Sequence, residues 1–307
     1  GLVIPVAALA QQTIKIGLIQ PLTGSVAYNG QADVAGSKQA VDERNAKGGV
    51  LGKKIELVIE DGQCKPANSV NAAEKLILKD KVVALAGAFC SSATAAVIPV
   101  TEKYKLPLIT GVSSEAGLTE KGYKYFFRAT ETDALLAETF AKIIHNKLGV
   151  GNVAYIGVND DWGRGGVKEF TKQFSALGAK TAMTEYFDHG TTDFYTLLTK
   201  LKASKADGVF VAAESQDGAI LVKQLKELGL KIKVFGVGSW ATSSFISLAG
   251  PASEGIYAAV PYSSTMKTPK NASFVAAYVA RYKEQPGKYG AAGYNAISIL
   301  MEAIERA

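Results

Sequence analysis

Short apolar runs alternate with longer amphipathic stretches from Thr13 to the end of the chain. In the first half, strand-like runs occur at residues 14–19, 54–60, 82–86, 106–110 and 125–130, and helical periodicity occurs at residues 31–46, 66–78 and 94–104. Continuous apolar runs of this length are typical of parallel strands that are buried on both faces. The regular alternation therefore predicts a doubly wound parallel sheet with helical crossovers.

A second series of the same kind follows a long helix predicted at residues 133–148. Its strands are predicted at residues 152–157, 181–186, 208–212 and 234–237, and its helices at residues 166–177, 192–203 and 217–228. A strand at residues 255–260 leads back out, and helices follow at residues 272–283 and 291–306. The predicted fold class is α/β, with two Rossmann-like, three-layer lobes. We assign residues 11–130 and 260–307 to the first lobe and residues 131–259 to the second.

The two ends of the chain depart from this pattern. Residues 1–10 are apolar and finish with Ala8-Leu9-Ala10, the A-x-A form of a secretory cleavage site. We interpret them as the remnant of a signal peptide, with a plain amphipathic or irregular start as the alternative. Since no other apolar run approaches the length of a membrane span, we expect an exported, soluble protein. The helical pattern continues to the last residue, so we also expect a truncated C-terminus.

The bulk composition narrows the classes of function. Of the 307 residues, 48% are hydrophobic and 20% are charged, as in soluble globular proteins. The net charge of +6 would permit nucleic-acid or membrane-surface binding, but the lysines are scattered along helical stretches without a block of like charges. We therefore interpret them as solvated surface and expect no nucleic-acid partner.

The chain has few residues with which to build a catalytic centre. Its two histidines are His145 and His189, and neither has a cysteine or histidine at the spacing of metal ligands. The sequence contains no nucleophile elbow, P-loop or dinucleotide fingerprint. The glycine-rich stretch at residues 163–166 is better explained as the start of a helix than as a phosphate cradle. We predict a protein that is not an enzyme and uses no cofactor or metal.

Two neighbouring strand-to-helix turns carry small hydroxyl residues. Ser91 and Ser92 follow the strand at residues 82–86, and Ser113 and Ser114 follow the strand at residues 106–110. In a parallel sheet such turns lie at the carboxyl ends of the strands, where free amides and the positive end of a helix dipole attract anions. We predict that these turns bind a ligand carboxylate; the alternative is that the serines are ordinary helix N-caps.

The second series has its own polar and aromatic residues at strand exits. Asp160 and Trp162 follow the strand at residues 152–157, Glu214 follows the next strand but one, and Gly238 follows the strand at residues 234–237. If the two lobes face each other through these edges, Trp162 can cover an apolar group and Glu214 can pair with an ammonium ion. The alternatives are that Trp162 packs at a helix start and that Glu214 is an exposed loop acid.

The two cysteines, Cys64 and Cys90, each follow a predicted strand. In an exported protein we expect them to form a disulfide, and two free buried thiols are the alternative. Closing a loop of about 25 residues would stabilise the fold by roughly 3 kcal/mol in the chain-entropy model. The bridge would also hold the turn that contains Ser91.

Several short motifs, taken in order, are shared with one family. They are Pro21-Leu22-Thr23-Gly24, Asn45-Ala46-Lys47-Gly48-Gly49-Val50, Asp61-Gly62-Gln63-Cys64-Lys65-Pro66, Cys90-Ser91-Ser92, Leu108-Ile109-Thr110, Leu118-Thr119-Glu120-Lys121-Gly122-Tyr123 and Phe127-Arg128. From Thr13 to Ala307 the chain resembles the periplasmic substrate-binding proteins of branched-chain amino-acid ABC transporters, of the leucine/isoleucine/valine type (type I periplasmic binding proteins). The resemblance implies two lobes on a three-stranded hinge, a bridge matching Cys64 and Cys90, a small-molecule ligand, a membrane permease as partner, a periplasmic location and a monomer.

The same resemblance implies roles for individual residues. The ligand carboxylate would meet the Ser91 hydroxyl, and also the backbone and a hydroxyl of the turn formed by Val112, Ser113 and Ser114. Trp162 would close onto the ligand from the second lobe. The tip of the first loop, which reaches the ligand in relatives, matches Tyr28 or Asn29.

Two departures from the family pattern leave the ligand open. Branched-chain binders place an acid for the ligand amine where this chain has Gly238, and an aromatic residue where it has Glu214. An amino acid still fits if Glu214 binds the ammonium group, with Asp133 as the second candidate. Alternatively, the ligand is an amine-free aromatic or aliphatic carboxylate, or the chain is the ligand-binding ectodomain of a sensor.

Overall fold

The apolar runs of the first half form one parallel sheet. The computed structural model describes residues 13–307, so the predicted signal-peptide remnant at residues 1–10 lies outside the described residues. The strands of this sheet are β1 (Ile14–Gln20), β2 (Ile55–Asp61), β3 (Ala84–Ala86), β4 (Leu108–Thr110) and β5 (Phe126–Arg128), in the order β2-β1-β3-β4-β5. All its strand pairs are parallel, as the sequence pattern predicts.

The second half repeats the arrangement. Its strands are β6 (Asn152–Val158), β7 (Lys180–Phe187), β8 (Gly208–Ala213), β9 (Lys233–Gly238) and β10 (Tyr257–Ala258), in the order β10-β9-β8-β6-β7. Counted from the other edge, the strands follow the same topological order as in the first sheet, and they are again parallel. The predicted fold of two parallel α/β lobes is confirmed.

Alternate residues of the central strands point to opposite faces of each sheet, and both faces are covered. In β6, Ala154 and Ile156 belong to one buried apolar cluster, while Val153 and Tyr155 belong to another on the opposite face. Each of these four side chains is at most 1% exposed. Because a strand side chain alternates with period two, two clusters on one strand require helices on both faces. Each lobe therefore has three layers.

The helices connect the strands in chain order. They are α1 (Ala27–Ala46), α2 (Pro66–Leu78), α3 (Ser91–Tyr104), α4 (Asp133–Leu148), α5 (Asp161–Ala176), α6 (Tyr195–Ser204), α7 (Ser215–Glu227), α8 (Ser243–Ala249), α9 (Pro269–Tyr282) and α10 (Lys288–Arg306), with 3₁₀ helices at Ala116–Thr119 and Gly250–Ser253. The sequence does not predict α8 or the 3₁₀ helices, because they are too short to show helical periodicity. Within residues 13–307, no helix is both long enough and apolar enough to span a membrane.

Several helices begin earlier than the sequence predicts, and the difference is largest at α5. This helix begins at Asp161 rather than near residue 166, because the Asp160 carboxylate caps it by accepting a hydrogen bond from the Gly163 amide at 2.8 Å. A Cβ on Gly163 would overlap the Val158 carbonyl. The glycine-rich stretch is thus a helical first turn that approaches β6 closely.

The last helix returns to the first lobe and packs along α1. The chain crosses to the second sheet after β5 and leaves it after β10, and α10 then covers β1 with Ile297 and Leu300. Glycines allow the two helices to approach closely: a Cβ on Gly36 would overlap the Gly290 carbonyl, and one on Gly293 would overlap the backbone of α1. The lobe limits assigned from the sequence remain a prediction, but this packing joins the two ends of the described chain.

The two cysteines are bonded to each other. Cys64 lies just after β2 and Cys90 just before α3, and their Cα atoms are 5.3 Å apart. The expected disulfide is therefore present, and the alternative of two free thiols is excluded. The bond ties the start of α3, which carries Ser91, to the neighbouring crossover.

The packing of α1 on α10 generates a stability prediction. Gly36→Ala should destabilise the protein by about 1–3 kcal/mol, because the added methyl group has no space beside α10. Gly166→Ala is the matched control in α5: its methyl group would meet the Ala212 Cβ at an ordinary 3.8 Å, and removing a helical glycine contributes up to about 1 kcal/mol. Urea unfolding of both variants measures the difference, and equal stability of the two would contradict the close contact.

Candidate functional site

A partly open cavity of about 450 Å³ lies between the carboxyl edges of the two sheets. This volume lies within the usual range for small-molecule sites. Residues from both lobes line it, among them Phe89, Ser91, Val112, Ser113, Ser114, Arg128, Glu131, Asp133, Leu136, Asp160, Trp162, His189, Glu214, Gly238, Lys288 and Tyr289. Of the residues predicted for the site, Tyr28, Asn29 and Ser92 do not line it.

The start of α3 forms one pole of the cavity. The helix begins at Ser91 rather than near residue 94, with Cys90 as its N-cap, so neither Ser91 nor Ser92 is the capping residue. Their amides have no acceptor within the helix, as at every helix N-terminus. The Ser91 hydroxyl accepts a hydrogen bond from the Glu115 amide at 3.3 Å, which leaves its own proton free to donate into the cavity. Amides, a hydroxyl and the helix dipole together favour an anion here.

The second predicted turn offers fewer donors than expected. The Thr110 hydroxyl oxygen accepts from the amides of Val112 at 3.3 Å and Ser113 at 3.0 Å. The Ser113 hydroxyl donates to the Phe89 carbonyl at 2.8 Å, so the expectation that it donates to a ligand does not fit this arrangement. The Ser114 amide has no acceptor among the residues that the structure describes. It is the donor of this turn that remains free for a ligand.

Arg128 holds this turn in place from behind. Its guanidinium donates to the carbonyls of Ser113 at 2.7 Å and Glu115 at 2.8 Å. Burial lowers the pKa of Arg128, and the nearby carboxylates of Asp133 and Glu115 act in the opposite direction. Its Nη1 and Nη2 groups therefore position the turn, while the buried Nε has no hydrogen-bond partner among the described residues.

Asp133 closes the cavity at the beginning of α4. Its amide donates to the Ser114 carbonyl at 2.8 Å, and the residue is 2% exposed. Burial raises the pKa of the Asp133 carboxyl to about 7, and the Ser114 hydroxyl and the Lys288 charge partly oppose that rise. One of its carboxyl oxygens, Oδ2, has no hydrogen-bond partner among the described residues. A partly neutral carboxyl therefore lies next to the turn that carries the free Ser114 amide.

A histidine held by two carboxylates forms part of the wall in the second lobe. His189 Nε2 lies 3.0 Å from Asp160 Oδ2, and His189 Nδ1 lies 3.7 Å from Asp217 Oδ2. The contact with Asp160, and then that with Asp217, raises the pKa of His189 to about 10. The imidazolium joins the start of α5, the loop after β7 and the first turn of α7. We interpret this ion cluster as the support of the wall that carries Trp162.

Trp162 and Gly238 were both predicted for the site, and they lie against each other. Gly238 has a φ of +84°, and a Cβ there would come within 2.8 Å of the Trp162 ring. Glycine is thus required both by its backbone conformation and by the close approach of the indole. The pair brings an aromatic surface to the cavity, in place of the acid that the family resemblance implies at this position.

Glu214 joins the two lobes across the cavity. It follows β8 in the second lobe, is 8% exposed, and accepts hydrogen bonds from Asn29 Nδ2 at 3.1 Å and the Tyr289 hydroxyl at 3.3 Å, both from the first lobe. The Tyr28 hydroxyl lies 3.3 Å from the Ser243 hydroxyl, which adds another contact between the lobes. Tyr28 and Asn29 therefore hold the lobes together, and the lobes are closed over the cavity.

The sequence reasoning missed two cavity residues at the start of α10. Lys288 and Tyr289 precede the predicted start of this helix at residue 291, and the sequence pattern assigns them no role in the site. Tyr289 packs on Phe89 with ring centroids 5.0 Å apart, and burial together with Glu214 raises its pKa. The residues Pro286 and Gly287 just before them are a helix-start signal that could have extended the helix. In residues 13–307 no group of three or more histidine, cysteine, aspartate or glutamate side chains is arranged so that it could hold a metal ion.

Two α/β lobes around a cavity, with free amide and hydroxyl donors at one pole, are the architecture of a two-lobed ligand-binding protein. A family model described as periplasmic binding protein matches residues 13–307. The chain therefore belongs to the periplasmic binding protein family, as its resemblance implied.

Individual relatives agree with this assignment. The chain is 30% identical to the leucine-, isoleucine-, valine-, threonine- and alanine-binding protein of Pseudomonas aeruginosa, over 98% of this chain and 80% of that protein. It is similar to the branched-chain amino acid transporter substrate-binding protein of Streptococcus pneumoniae in complex with isoleucine, with 30% identity, a TM-score of 0.90, and coverage of 96% of this chain and 85% of that one. An ABC-transporter solute-binding protein of Rhodopseudomonas palustris in complex with 3,4-dihydroxybenzoic acid is 29% identical, with a TM-score of 0.84 and coverage of 96% and 81%.

The ion cluster around His189 generates a pH prediction. The raised pKa means that the charged imidazole stabilises the folded state fully below about pH 6.5 and that this contribution is lost as the pH rises through about 10. His189→Gln should therefore lower the melting temperature more at pH 6 than at pH 10. His145→Gln is the control, since His145 contacts the Val150 carbonyl at 2.7 Å instead of a carboxylate. A deficit of the His189 variant that is larger at pH 10 would reverse the sign and reject the cluster.

Proposed function

We propose that this protein captures a small amino acid between its two lobes in the periplasm and delivers it to the permease of an ABC transporter. The observation that carries the proposal is the cavity between the lobes, with free amides and a hydroxyl on the first lobe and a buried carboxylate, Glu214, on the second. An amino acid presents a carboxylate and an ammonium group close together. The donors of the first lobe therefore match the ligand carboxylate, and Glu214 of the second lobe matches the ligand ammonium group.

The carboxylate of the ligand would bind at the start of α3. The Ser91 amide and hydroxyl and the free Ser114 amide are the donors proposed for it, and charge-assisted hydrogen bonds of this kind are stronger than neutral ones. The disulfide at Cys90 fixes the turn before the ligand arrives. Preorganised donors lower the ordering cost of binding, which supports tight capture.

The ammonium group of the ligand would bind Glu214. This carboxylate accepts hydrogen bonds from Asn29 and Tyr289 but has no ion-pair partner within 4.0 Å among the described residues. Asp133 is the second candidate, and its pKa of about 7 makes it the weaker one, since a partly protonated carboxyl offers less charge to an ammonium ion. The amino acids named for the Pseudomonas aeruginosa and Streptococcus pneumoniae relatives support an amino-acid ligand.

A second candidate is an amine-free aromatic acid. The Rhodopseudomonas palustris relative with its bound 3,4-dihydroxybenzoic acid favours it, and Trp162, Tyr289 and Phe89 give the cavity an aromatic lining. Such a ligand would leave the buried Glu214 carboxylate without a direct ion-pair partner, with only the more distant charge of Lys288 to oppose it. Burying an unpaired charge is costly, and for this reason we place the amino acid first.

Lobe closure is the proposed signal to the permease. The contacts of Tyr28 with Ser243 and of Asn29 with Glu214 form only when the lobes are closed, so they favour the closed state over an open one. A ligand that binds both lobes adds to this preference by its differential affinity for the closed state. We propose a monomer that acts by binding alone, without catalysis.

A thermal-shift screen tests the proposal directly. Purified protein is melted with each of the common L-amino acids, with 3,4-dihydroxybenzoic acid and with benzoate. An amino acid that binds tightly should raise the melting temperature by mass action, since a ligand at 100 times its Kd contributes about 2.7 kcal/mol. A shift with aromatic acids alone would establish the second candidate instead, and chemical conversion of the bound compound would exclude a protein that only binds.

The ammonium assignment is tested with a ligand pair that differs by the amine. Glu214→Gln should weaken the binding of an apolar L-amino acid such as L-leucine by more than about tenfold, because a desolvated charge pair is lost. The same substitution should have little effect on 4-methylpentanoate, which has the side chain and the carboxylate of leucine but no amine. Titration calorimetry of Glu214→Gln and Asp133→Asn with both compounds decides which acid pairs with the amine. An unchanged L-leucine affinity in Glu214→Gln rejects that assignment.

A further inference from the structure

Lys288 is a cavity cation without a carboxylate partner. It is the first residue of α10, is half-buried and lines the cavity. Its ammonium group lies 4.7 Å from the centre of the Tyr289 ring. Within residues 13–307 it forms no ion pair at 4.0 Å or less, nor does any hydrogen bond to its ammonium group occur there.

This position is electrostatically unfavourable for a lysine. The first turn of a helix carries the positive end of the helix dipole, which disfavours a cation. Burial lowers the pKa of Lys288, while the charges of Glu214, Glu131 and Asp133 act in the opposite direction from a distance. Apart from the face of the Tyr289 ring, this partly buried cation has no anionic neighbour within 4.0 Å among the described residues, so an anionic group of a ligand would stabilise it.

The other two cations of the cavity are held by neighbouring acceptors, although the buried Arg128 Nε has no partner of its own among the described residues. Arg128 donates to the carbonyls of Ser113 and Glu115, and both ring nitrogens of His189 face aspartates. Among the described residues that line the cavity, Lys288 is therefore the cation that is free to meet an anionic group of a guest.

We infer that Lys288 binds a second anionic group of the ligand, the side-chain carboxylate of an acidic amino acid such as L-glutamate or L-aspartate. This inference rests on the proposed function and specifies its substrate class. The main carboxylate already has its donors at the start of α3. Lys288 instead lies on α10 next to Tyr289, which donates to Glu214, the residue assigned to the ligand ammonium.

Charge balance supports the same assignment. When the ligand ammonium pairs with Glu214, that carboxylate no longer compensates Lys288. A side-chain carboxylate on the same ligand would take its place, whereas an apolar side chain would leave Lys288 with only the more distant charges of Glu131 and Asp133. The wild-type protein should therefore bind L-glutamate or L-aspartate more tightly than L-leucine.

Titration calorimetry with L-glutamate, L-aspartate and L-leucine tests the inference. Lys288→Met should weaken binding of the acidic amino acid that the wild type prefers by at least about tenfold, the loss of one charge-assisted hydrogen bond, and should change L-leucine binding by less than about threefold. Lys288→Arg keeps the charge and should retain the preference for the acidic ligand. Lys270→Met is the matched control, because Lys270 also lies in the first turn of a helix, α9, but is exposed and outside the cavity.

Each outcome has a defined meaning. Equal weakening of acidic and apolar ligands by Lys288→Met would assign the lysine to the main carboxylate and overturn the inference, as would a wild type that binds L-leucine at least as tightly as the acidic amino acids. If no amino acid binds the wild-type protein, the proposed function itself fails. The melting temperatures of Lys288→Arg and Lys288→Met, compared with the wild type, show that each variant is folded before its affinity is interpreted.

Discussion

Two parallel sheets that present their carboxyl edges to the same gap are the constraint on which the rest of this molecule depends. In such sheets every crossover helix begins at that edge, so free amides and capping side chains collect there. The gap therefore gathers the start of α3 from one lobe and the starts of α5 and α7 from the other, with Ser91, Asp160 and Glu214 at or next to them. The sheet topology alone therefore places hydrogen-bond donors in the gap, whatever the individual side chains are.

The charged side chains around the gap are of two kinds: some hold the structure of the site, and others are available to a ligand. Arg128 is used by backbone carbonyls, and His189 is used by two aspartates. These ions hold turns and helix starts in position, which keeps the donors and acceptors of the site preorganised. Glu214 and Lys288 have no ion-pair partner within 4.0 Å among the described residues. We therefore expect the site to favour a ligand that carries a positive group for Glu214 and a negative group for Lys288.

Close backbone approach is the second requirement of the architecture. Glycines at Gly36 and Gly293 let α10 lie along α1, and Gly163 lets α5 lie against β6. The first contact places the start of α10, and with it Lys288 and Tyr289, at the cavity. Packing far from the cavity thus decides which side chains line it. If α10 lay a few ångströms further from α1, its first turn would no longer reach the gap between the sheets.

The sequence by itself determined the two α/β lobes, the disulfide between Cys64 and Cys90, and the strand exits at which Ser91, Ser114, Trp162 and Glu214 lie, because apolar periodicity and short-range spacing are local properties of the chain. The family resemblance implied that Tyr28 or Asn29 reaches the ligand, whereas the structure has both residues bridging the lobes outside the cavity lining, and Lys288 and Tyr289 were not predicted for the site. Only the tertiary structure decided that the Ser113 hydroxyl is used by the Phe89 carbonyl and that α10 returns to the gap. Hydrogen-bond partners and long-range packing depend on residues far apart in the chain, and no local pattern encodes them.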